Sequence, residues 1–426
     1  MAEKLAIEGG DKVIGKTFPG WPQFSEKTIR EALQPLKNGK VNYWTGPRGF
    51  EFEEKWAAYN GMKFAISTTS GTSALHTALA GLGIGPGDEV ITPSYTFIAT
   101  SFSVLQAGAI PVFADVEIDT HCISVDSIRE KITDRTRAIV PVHLYGNMAD
   151  MDPVMELAKE HNLLVIEDAA QAHGATYKGR KAGSIGDVGC FSFCQSKTFT
   201  TGGEGGAVIT NDEEVAWNCR SFRDHGYDVK ERLRLLELEG RLPYIHNMVG
   251  YNYRMTEIQS IIGICELERL DTYHLPRRRR NGEILIEELT EEPWVKYLPI
   301  HNERGIVNGF FVFPVTLDLD ALTCKDAKEF ADAVKAEGAP AGPVFWPQCY
   351  MERAFTEHNG FGRFKFPFRS KEYTNPQSVK YTEVNCPNAA WHQDRTFITV
   401  VHPALEEEHM RLMAKAIKKV AAAYSK

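Results

Sequence analysis

The sequence lacks the signatures of several protein classes. No apolar run is long enough to cross a membrane, and residues 1–12 are charged without an apolar core, so we expect no membrane segment and no signal peptide. The eight cysteines form no C-x-x-C pair and no zinc spacing, which predicts reduced thiols, no metal site and a cytoplasmic location. A net charge of −8 argues against nucleic acid as a partner.

What the sequence has is the composition of a soluble globular enzyme. Its 426 residues are 43% hydrophobic and 24% charged, which is ordinary for such proteins. This length allows two domains, or one large domain with a smaller cap. One basic run, Arg277–Arg280, follows Leu275–Pro276. Because charge runs are usually solvated, we interpret it as the exposed face of a helix start.

Short apolar runs alternate with helical stretches between residues 63 and 210. One helix is expected over 73–83, and the alternation indicates an α/β fold with a mostly parallel sheet flanked by helices. Ligands on such sheets bind beyond the carboxyl ends of the strands. The expected strands are 63–68, 88–93, 110–115, 137–144, 162–168, 187–193 and 205–210.

A domain boundary is expected after a long helical pattern over 256–274, which Pro276 should end or kink. We therefore expect a large domain with an N-terminal arm (1–275) and a small C-terminal α/β domain (276–426). The irregular stretch Trp346–Arg395 is interpreted as a substrate wall, because long loops inside compact domains are usually functional. The remaining C-terminal elements are an expected strand over 309–317 and expected helices over 324–338 and 405–424.

The most informative residues are Lys197, in FSFCQSKTFTTGGEGG, and Asp168, which ends the apolar strand of HNLLVIEDAAQAHG. Pyridoxal phosphate (PLP) needs a lysine amine that condenses with its aldehyde, and a carboxylate that keeps its pyridine nitrogen protonated. Alone, such a lysine is usually a solvated surface group, and such an aspartate is about as often a helix cap. Together they indicate a PLP enzyme.

Further segments supply candidate cofactor contacts. In TTSGTSALHTAL, Gly71 and Thr72 open a helix whose N-terminus suits a phosphate, although an ordinary N-cap explains the same residues. Ser192 offers another hydroxyl, or is simply a strand serine. Phe97, just past a strand, is expected either to stack on the pyridine ring or to pack in the core. Gln171 lies near enough to Asp168 to contact the ring hydroxyl.

Taken together, these segments resemble the DegT/DnrJ/EryC1/StrS family of fold-type I PLP-dependent aminotransferases, which act on sugars and cyclitols. The resemblance covers nearly the whole chain and implies a large domain with a mostly parallel seven-stranded sheet. The motifs that carry it are SGTSAL (70–75), PSYTFIAT (93–100), PVHLYGNMADMD (141–152), VIEDAAQAHGA (165–175), FSFCQSKTFTTGGEGG (191–206) and GYNYRMTEIQSIIG (250–263).

The resemblance also implies roles for the candidate residues. Lys197 would bind PLP and move a proton during the reaction, and Asp168 would pair with the pyridine nitrogen. Asn252, in GYNYRM, would reach the phosphate in the partner subunit's site, so the active unit would be a homodimer with composite sites. Phosphate contacts are implied for Gly71, Thr72 and Ser192, a ring contact for Gln171, and ring stacking for Phe97.

The branch of the family is indicated by weaker features. WPQF (21–24), NYWTGPRGFEFEEKW (42–56) and VNCPNAAWHQDRTFITVVHP (384–403) resemble enzymes that use glutamine to aminate scyllo-inosose, and the aminohydroxybenzoate synthases. The expected reaction moves an amino group from L-glutamine or L-glutamate to a keto-cyclitol or keto-sugar. The substrate contacts that this branch implies are Tyr43, Trp44, Gly46 and His402, although simple packing explains Trp44 equally well.

Two alternatives stay open. One is a nucleotide-sugar aminotransferase, for which Arg48 and the Arg277–Arg280 run would supply positive charge near the substrate. The other is a non-catalytic regulatory protein that retains PLP as a structural ligand. The presence of Lys197, Asp168 and Gln171 weighs against the second alternative, and no DNA-binding module is visible in the sequence.

Overall fold

The computed structural model describes residues 3–237, 245–344, 348–373 and 379–426. In those ranges, no helix combines the length and the apolar character that crossing a bilayer requires. The strands are β1 (Phe64–Thr68), β2 (Glu89–Pro93), β3 (Ile110–Ala114), β4 (Thr136–Ile139), β5 (Leu164–Asp168), β6 (Thr176–Tyr177), β7 (Arg180–Lys181), β8 (Val188–Ser192), β9 (Gly206–Thr210), β10 (Val295–Tyr297), β11 (Ile306–Val307), β12 (Phe313–Leu317), β13 (Ala341–Pro343) and β14 (Thr396–Thr399).

Helices surround these strands, and several short 3-10 turns join them. The helices are α1 (Glu26–Ala32), α2 (Gln34–Asn38), α3 (Arg48–Asn60), α4 (Gly71–Gly81), α5 (Ala99–Gln106), α6 (Val125–Lys131), α7 (Met151–Glu160), α8 (Glu213–Arg223), α9 (Val229–Glu237), α10 (Glu257–Glu268), α11 (Leu275–Leu289), α12 (Ala327–Ala336), α13 (Arg353–Thr356), α14 (Pro387–Arg395) and α15 (Glu407–Tyr424).

The central sheet has seven strands in the order β1-β9-β8-β5-β4-β2-β3. Strand β9 runs antiparallel to both of its neighbours, and the other pairs are parallel. Most of these strands are buried along their whole length, as expected for a parallel sheet that carries helices on both faces. The predicted α/β fold with a mostly parallel seven-stranded sheet is confirmed.

A second sheet of four antiparallel strands, in the order β10-β12-β14-β13, forms the smaller layer. Helices α12 and α15 cover it, and both are strongly amphipathic. Their apolar side chains belong to a separate core that includes Phe313, Leu317, Phe330, Met413 and Ile417. This core gives the smaller layer its own hydrophobic interior.

The two cores draw on discontinuous parts of the chain. Leu5 and Ile14 of the N-terminal arm pack into the core of the smaller sheet, and the backbone N–H groups of Ala6 and Val13 donate to Glu337. Conversely, Tyr381 packs into the core of the central sheet. The division at residues 275 and 276 stays a prediction, and α11 begins at that point.

The helical path continues through Pro276. Helix α10 ends at Glu268, a π-helical turn follows over Leu270–His274, and Pro276 lies in the first turn of α11. A proline is tolerated there because the first N–H groups of a helix have no intrahelical acceptor. Of the two expected outcomes, Pro276 therefore does not end the helical path, and a kink at this point stays a prediction.

The basic run Arg277–Arg280 is not a solvated face, which corrects the sequence interpretation. Arg278 is 1% exposed, and its guanidinium donates to backbone carbonyls. Arg279 donates to the carbonyl oxygens of Gly174 and Asn308, and Arg280 to that of Leu405. Carbonyl acceptors of this kind belong to tertiary structure, and a run of charges does not reveal them.

The stretch expected to be irregular contains helix α14, which sequence patterns did not indicate. Other side chains of the same stretch pack on the edge of the central sheet. The ring centroid of Phe113 in β3 lies 5.1 Å from that of Phe355 and 5.6 Å from that of Tyr381. Residues 345–347, including Trp346, and 374–378 lie outside the described residues. The described part of this stretch therefore covers the sheet edge.

Candidate active site

A cavity of about 600 Å³ lies at the carboxyl ends of β5 and β8 and the N-terminus of α4. This is where the strand pattern predicts a ligand. The cavity brings together most of the cofactor contacts expected from the sequence. The expected residues that line it are Gly71, Thr72, Phe97, Asp168, Gln171, Ser192 and Lys197.

The N-terminus of α4 forms one wall. Ser70 caps the helix through a reciprocal pair of hydrogen bonds with Ser73. A Cβ added to Gly71 would lie 2.7 Å from Cβ of Ser192, so a glycine is required for the helix to approach β8 this closely. The first N–H groups of a helix lack intrahelical acceptors and carry partial positive charge, which suits a phosphate.

Asp168 is a buried carboxylate at the end of β5. Oδ2 accepts a hydrogen bond of 2.8 Å from Thr100 Oγ1, and Oδ1 accepts one of 3.2 Å from the Ala170 N–H. Burial raises the pKa of Asp168, against the opposing effects of these donors and of Lys197. A cationic N–H partner, such as a protonated pyridine nitrogen, would offset the cost of burying this charge.

Lys197 follows β8 and lines the same cavity. Its Nζ lies 4.5 Å from the centroid of the Phe311 ring, and its carbonyl oxygen accepts hydrogen bonds from Trp21 Nε1 at 3.2 Å and Arg278 Nη2 at 3.4 Å. Burial lowers the pKa of the Lys197 amine, although nearby Asp168 opposes this effect. A lowered pKa makes the neutral, nucleophilic amine more available.

Gln171 is oriented by a backbone contact. Its Oε1 accepts a hydrogen bond of 2.9 Å from the N–H of Tyr145, a residue in the left-handed region at φ 63°. Since the carbonyl oxygen must face this donor, the NH₂ group of Gln171 remains available. No acceptor among the described residues receives a hydrogen bond from this NH₂ group. Phe97 is 54% exposed beside the cavity, so its ring face is open to a flat ligand.

Sequence reasoning missed several residues around this cavity. Thr100 belongs to the PSYTFIAT motif, which could have pointed to it. Phe311 and Trp21 contact Lys197 from distant parts of the chain, and no local pattern marks them. Arg278 was visible only as one member of a basic run.

A second cavity of about 440 Å³ shares the walls formed by Cys194, Ser196 and Phe311 with the first. The expected substrate residue His402 lines it, together with Trp21, and their rings stack with centroids 6.1 Å apart. Burial, and then the charge of Arg278, lowers the pKa of His402 to about 4, so the imidazole is neutral near pH 7.

The other expected substrate residues, Tyr43, Trp44 and Gly46, lie outside the two cavities of their own chain, and their role as substrate contacts stays a prediction. Tyr43 is 1% exposed, and its hydroxyl donates to Glu53 at 3.2 Å. Trp44 Nε1 donates to Asp224 at 2.6 Å, and a Cβ on Gly46 would overlap the Glu257 carboxylate. In this chain the three residues therefore contact Glu53, Asp224 and Glu257.

Asn252 is exposed and lies outside both cavities of its own chain. Its backbone forms an isolated bridge with Asp224, whose carboxylate pairs with Arg254. Its expected reach into a partner subunit stays a prediction. Arg48, which the nucleotide-sugar alternative would use as a positive charge near the substrate, also lies outside both cavities. Its Nη1 donates a hydrogen bond of 2.5 Å to Oε2 of Glu51.

Comparison with known proteins decides the family. The sequence profile of the DegT/DnrJ/EryC1/StrS aminotransferase family matches residues 22–375. The chain belongs to this family. It is an aminotransferase, and the members of the DegT/DnrJ/EryC1/StrS family that resemble it include enzymes named for sugars and for cyclitols.

Three relatives illustrate that range within the family. The chain is 50% identical to GDP-perosamine synthase of Caulobacter vibrioides over 303 residues, 71% of this chain and 77% of that protein. It is 34% identical to L-glutamine:2-deoxy-scyllo-inosose aminotransferase of Streptomyces paromomycinus over 99% of this chain and 98% of that protein. It is 35% identical to UDP-N-acetyl-3-dehydro-alpha-D-glucosamine 3-aminotransferase of Acidithiobacillus ferrooxidans over 92% of this chain and 96% of that protein.

Solved structures of similar proteins share the fold. An aminotransferase from Psychrobacter cryohalolentis matches with a TM-score of 0.84 at 34% identity, covering 96% of this chain and 99% of that one. NtdA from Bacillus subtilis, solved with bound cofactor PMP, matches with a TM-score of 0.79 at 25% identity, covering 97% of this chain and 87% of that one.

Proposed function

We propose that this protein is a PLP-dependent aminotransferase that moves an amino group from L-glutamine or L-glutamate to a keto-cyclitol or keto-sugar. The proposal depends on one observation: Lys197, Asp168 and the N-terminus of α4 line the same cavity. The names of the relatives support the class of reaction and of acceptor.

The donors and acceptors around the cavity fit PLP. The N–H groups of Gly71 and Thr72 and the Ser192 hydroxyl would bind the phosphate, since they line one side of the cavity at a helix N-terminus. The open face of Phe97 would stack on the pyridine ring. The free NH₂ group of Gln171 would donate to the ring oxygen.

When bound, PLP supplies an electron-accepting ring that makes a proton acidic on the carbon next to a condensed amine. Asp168 would hold the pyridine nitrogen protonated, since Thr100 and Ala170 keep its carboxylate oriented. Lys197 would bind the cofactor aldehyde and then move the proton at the donor α-carbon. Its lowered pKa suits this basic role near neutral pH.

A homodimer with composite sites is part of the proposal. Asn252 would complete the phosphate site of the partner subunit. In support, Asn252 lies on the surface beside exposed Tyr251, and Val249 on the same segment is 84% exposed. A partner subunit would cover these side chains.

A second candidate is a nucleotide-sugar aminotransferase. The 50% identity to GDP-perosamine synthase favours it, although that match spans 71% of this chain. The match to the deoxy-scyllo-inosose enzyme is weaker in identity but spans 99%. Supplying the amine-loaded enzyme with a free keto-cyclitol or with a nucleotide keto-sugar would separate the two, because only the true acceptor returns the cofactor to its aldehyde form.

The first test is the absorbance of the purified protein with PLP, before and after L-glutamine or L-glutamate is added. We expect the visible band of lysine-bound PLP to disappear as the cofactor takes up the amine. A visible band whose absorbance does not change with any amino donor would favour the non-catalytic alternative. The absence of any such band would overturn the PLP assignment.

A further inference from the structure

A buried pair of polar side chains, His143 and Glu167, lies behind the cofactor cavity. Both side chains are fully buried, and His143 Nε2 lies 2.8 Å from Oε2 of Glu167. Glu167 precedes Asp168 in β5, and successive side chains of a strand point to opposite faces of the sheet. Neither member of the pair lines either cavity, so the pair does not contact a ligand bound there.

The hydrogen bonds of His143 define its tautomer. The backbone N–H of Ala149 donates to Nδ1 at 3.2 Å, so Nδ1 is an acceptor and the ring proton lies on Nε2. Nε2 therefore donates to Glu167. The Glu167 carboxylate also accepts hydrogen bonds of 2.6–2.8 Å from three backbone N–H groups, those of Gly183, Ile185 and Gly186. These donors satisfy the buried carboxylate, which holds the imidazole in one orientation.

The contact between His143 and Ala149 closes the turn 143–149. Inside this turn, Tyr145 is in the left-handed region at φ 63°, which is unfavourable for a bulky residue and persists only where the surroundings impose it. The backbone N–H of Tyr145 donates the 2.9 Å hydrogen bond that orients Gln171. The position of this donor therefore depends on the turn that His143 closes.

The backbone of His143 also contacts the backbone of Asp168. Its N–H donates to the carbonyl oxygen of Asp168 at 3.0 Å, and the N–H of Asp168 donates to that of Pro141 at 2.9 Å. Val142, between these two partners, forms a parallel bridge with Asp168 and lines the cofactor cavity. His143 is thus connected to two of the expected cofactor contacts, Asp168 and Gln171.

We propose that His143 is a positioning residue for the reaction: its bond to Ala149 holds the turn that orients Gln171 toward the cofactor ring. Glu167 anchors the imidazole from the other side. This inference rests on the proposed function, since it requires PLP in the cavity. A neutral histidine offers an acceptor and a donor on two separate ring atoms, which is what this position uses.

Two substitutions separate the two bonds of His143. The amide nitrogen of glutamine lies near the position of Nε2, so His143→Gln can still donate to Glu167 but loses the acceptor for Ala149. The amide oxygen of asparagine lies near the position of Nδ1, so His143→Asn keeps that acceptor and loses the donor. Ile417→Val, at a fully buried site in the core of the smaller sheet, is the control for a general loss of stability.

Hydrogen exchange of the segment 143–149 is measured by mass spectrometry in the cofactor-free protein, and the Kd of PLP by absorbance titration. We expect His143→Gln to speed the exchange of this segment by at least about tenfold, because the turn opens more readily. It should raise the Kd of PLP by about fivefold, the size of one ordinary hydrogen bond. His143→Asn should lower Tm but leave exchange and Kd near the wild-type values, and Ile417→Val should lower Tm alone.

A double-mutant cycle tests whether the effect on PLP passes through Gln171. The Gln171→Leu background has no amide to orient, so His143→Gln should not weaken PLP binding further there. If His143 only stabilised the fold, the substitution would raise the Kd by the same factor in both backgrounds.

Unchanged exchange of the segment 143–149 in His143→Gln would overturn the inference, and so would a loss of PLP affinity that persists in the Gln171→Leu background. If His143→Gln does not fold, His143→Asn decides, because fast exchange in a variant that keeps the acceptor for Ala149 would contradict the assigned bond. If the wild-type protein binds no PLP, the proposed function fails, whereas exchange in the cofactor-free protein still tests what His143 holds.

Discussion

The hydroxyl of Thr100 donates a 2.8 Å hydrogen bond to the buried carboxylate of Asp168. This bond links the first turn of α5 to the end of β5 and opposes the rise in the pKa of Asp168 that burial causes. We expect Thr100→Val, which keeps the shape of the side chain, to leave Asp168 less stable as an anion. The kcat of transamination should fall by about tenfold, for a loss of about 1–2 kcal/mol.

Thr100→Ser is the matched control, because it retains the hydroxyl. Its kcat should lie near that of the wild type, and the acid limb of the pH–rate profile should shift upward only in Thr100→Val. Equal rates for the two variants would show that the Thr100 hydroxyl does not assist Asp168 in catalysis.

The Asp168→Asn substitution should stabilise the cofactor-free protein at neutral pH, although it should impair catalysis by the PLP-loaded protein. Between the ordinary value of 3.8 and the raised pKa of Asp168, the folded protein binds more protons than the unfolded chain, so stability falls as pH rises through that interval. The amide that replaces the carboxylate would carry no charge at any pH. Thermal melts should therefore show a higher Tm for the variant at neutral pH and a flatter pH dependence.

The same variant should transaminate at least about 100-fold more slowly, because the pyridine nitrogen loses its anionic partner. Steady-state rates with the PLP-loaded protein check this. An unchanged rate would show that Asp168 does not hold the ring nitrogen.

Lys197→Ala should lower turnover by at least about a thousandfold, since both the covalent attachment and the general base are lost. The visible band of lysine-bound PLP should also be absent. Lys178→Ala, at an exposed lysine paired with Asp152, is the control and should behave as the wild type. A Lys197→Ala protein that transaminates normally would contradict the assignment.

Gly71→Ala should destabilise the protein by about 1–3 kcal/mol, because the new methyl would overlap Ser192 and push α4 away from β8. PLP should bind more weakly as well. Denaturant unfolding and PLP titration measure the two effects. Gly15→Ala, where the added carbon meets nothing within 4 Å, is the control, and an equal loss in both variants would contradict the steric explanation.

Composite sites predict that two inactive variants complement each other. We expect Asn252→Ala to weaken PLP binding without changing the fold. Mixed dimers of Asn252→Ala and Lys197→Ala should recover part of the activity, because one of their two sites combines an intact Lys197 with the partner's intact Asn252. If mixing restores nothing while both variants dimerise, each site would belong to one chain.

Much of this protein is determined by local sequence pattern. The strands of the central sheet appear as short apolar runs, and their residues are buried on both faces, so burial and pattern agree. Asp168 ends one such strand and Lys197 follows the next one in the sheet, and the carboxyl ends of neighbouring parallel strands meet at one edge. For that physical reason, the sequence alone predicts that both residues and the N-terminus of α4 adjoin one cavity.

Tertiary structure alone decided which distant side chains surround them. Phe311 contacts Lys197, and Arg278 is buried without an ion-pair partner among the residues that the structure describes, because the smaller sheet and α11 pack against the central sheet. It also decided that the Tyr43 hydroxyl donates to Glu53 and that Trp44 Nε1 donates to Asp224. Residue type and spacing encode burial and turns, but contacts between segments more than 100 positions apart depend on how whole elements pack, which no local pattern records.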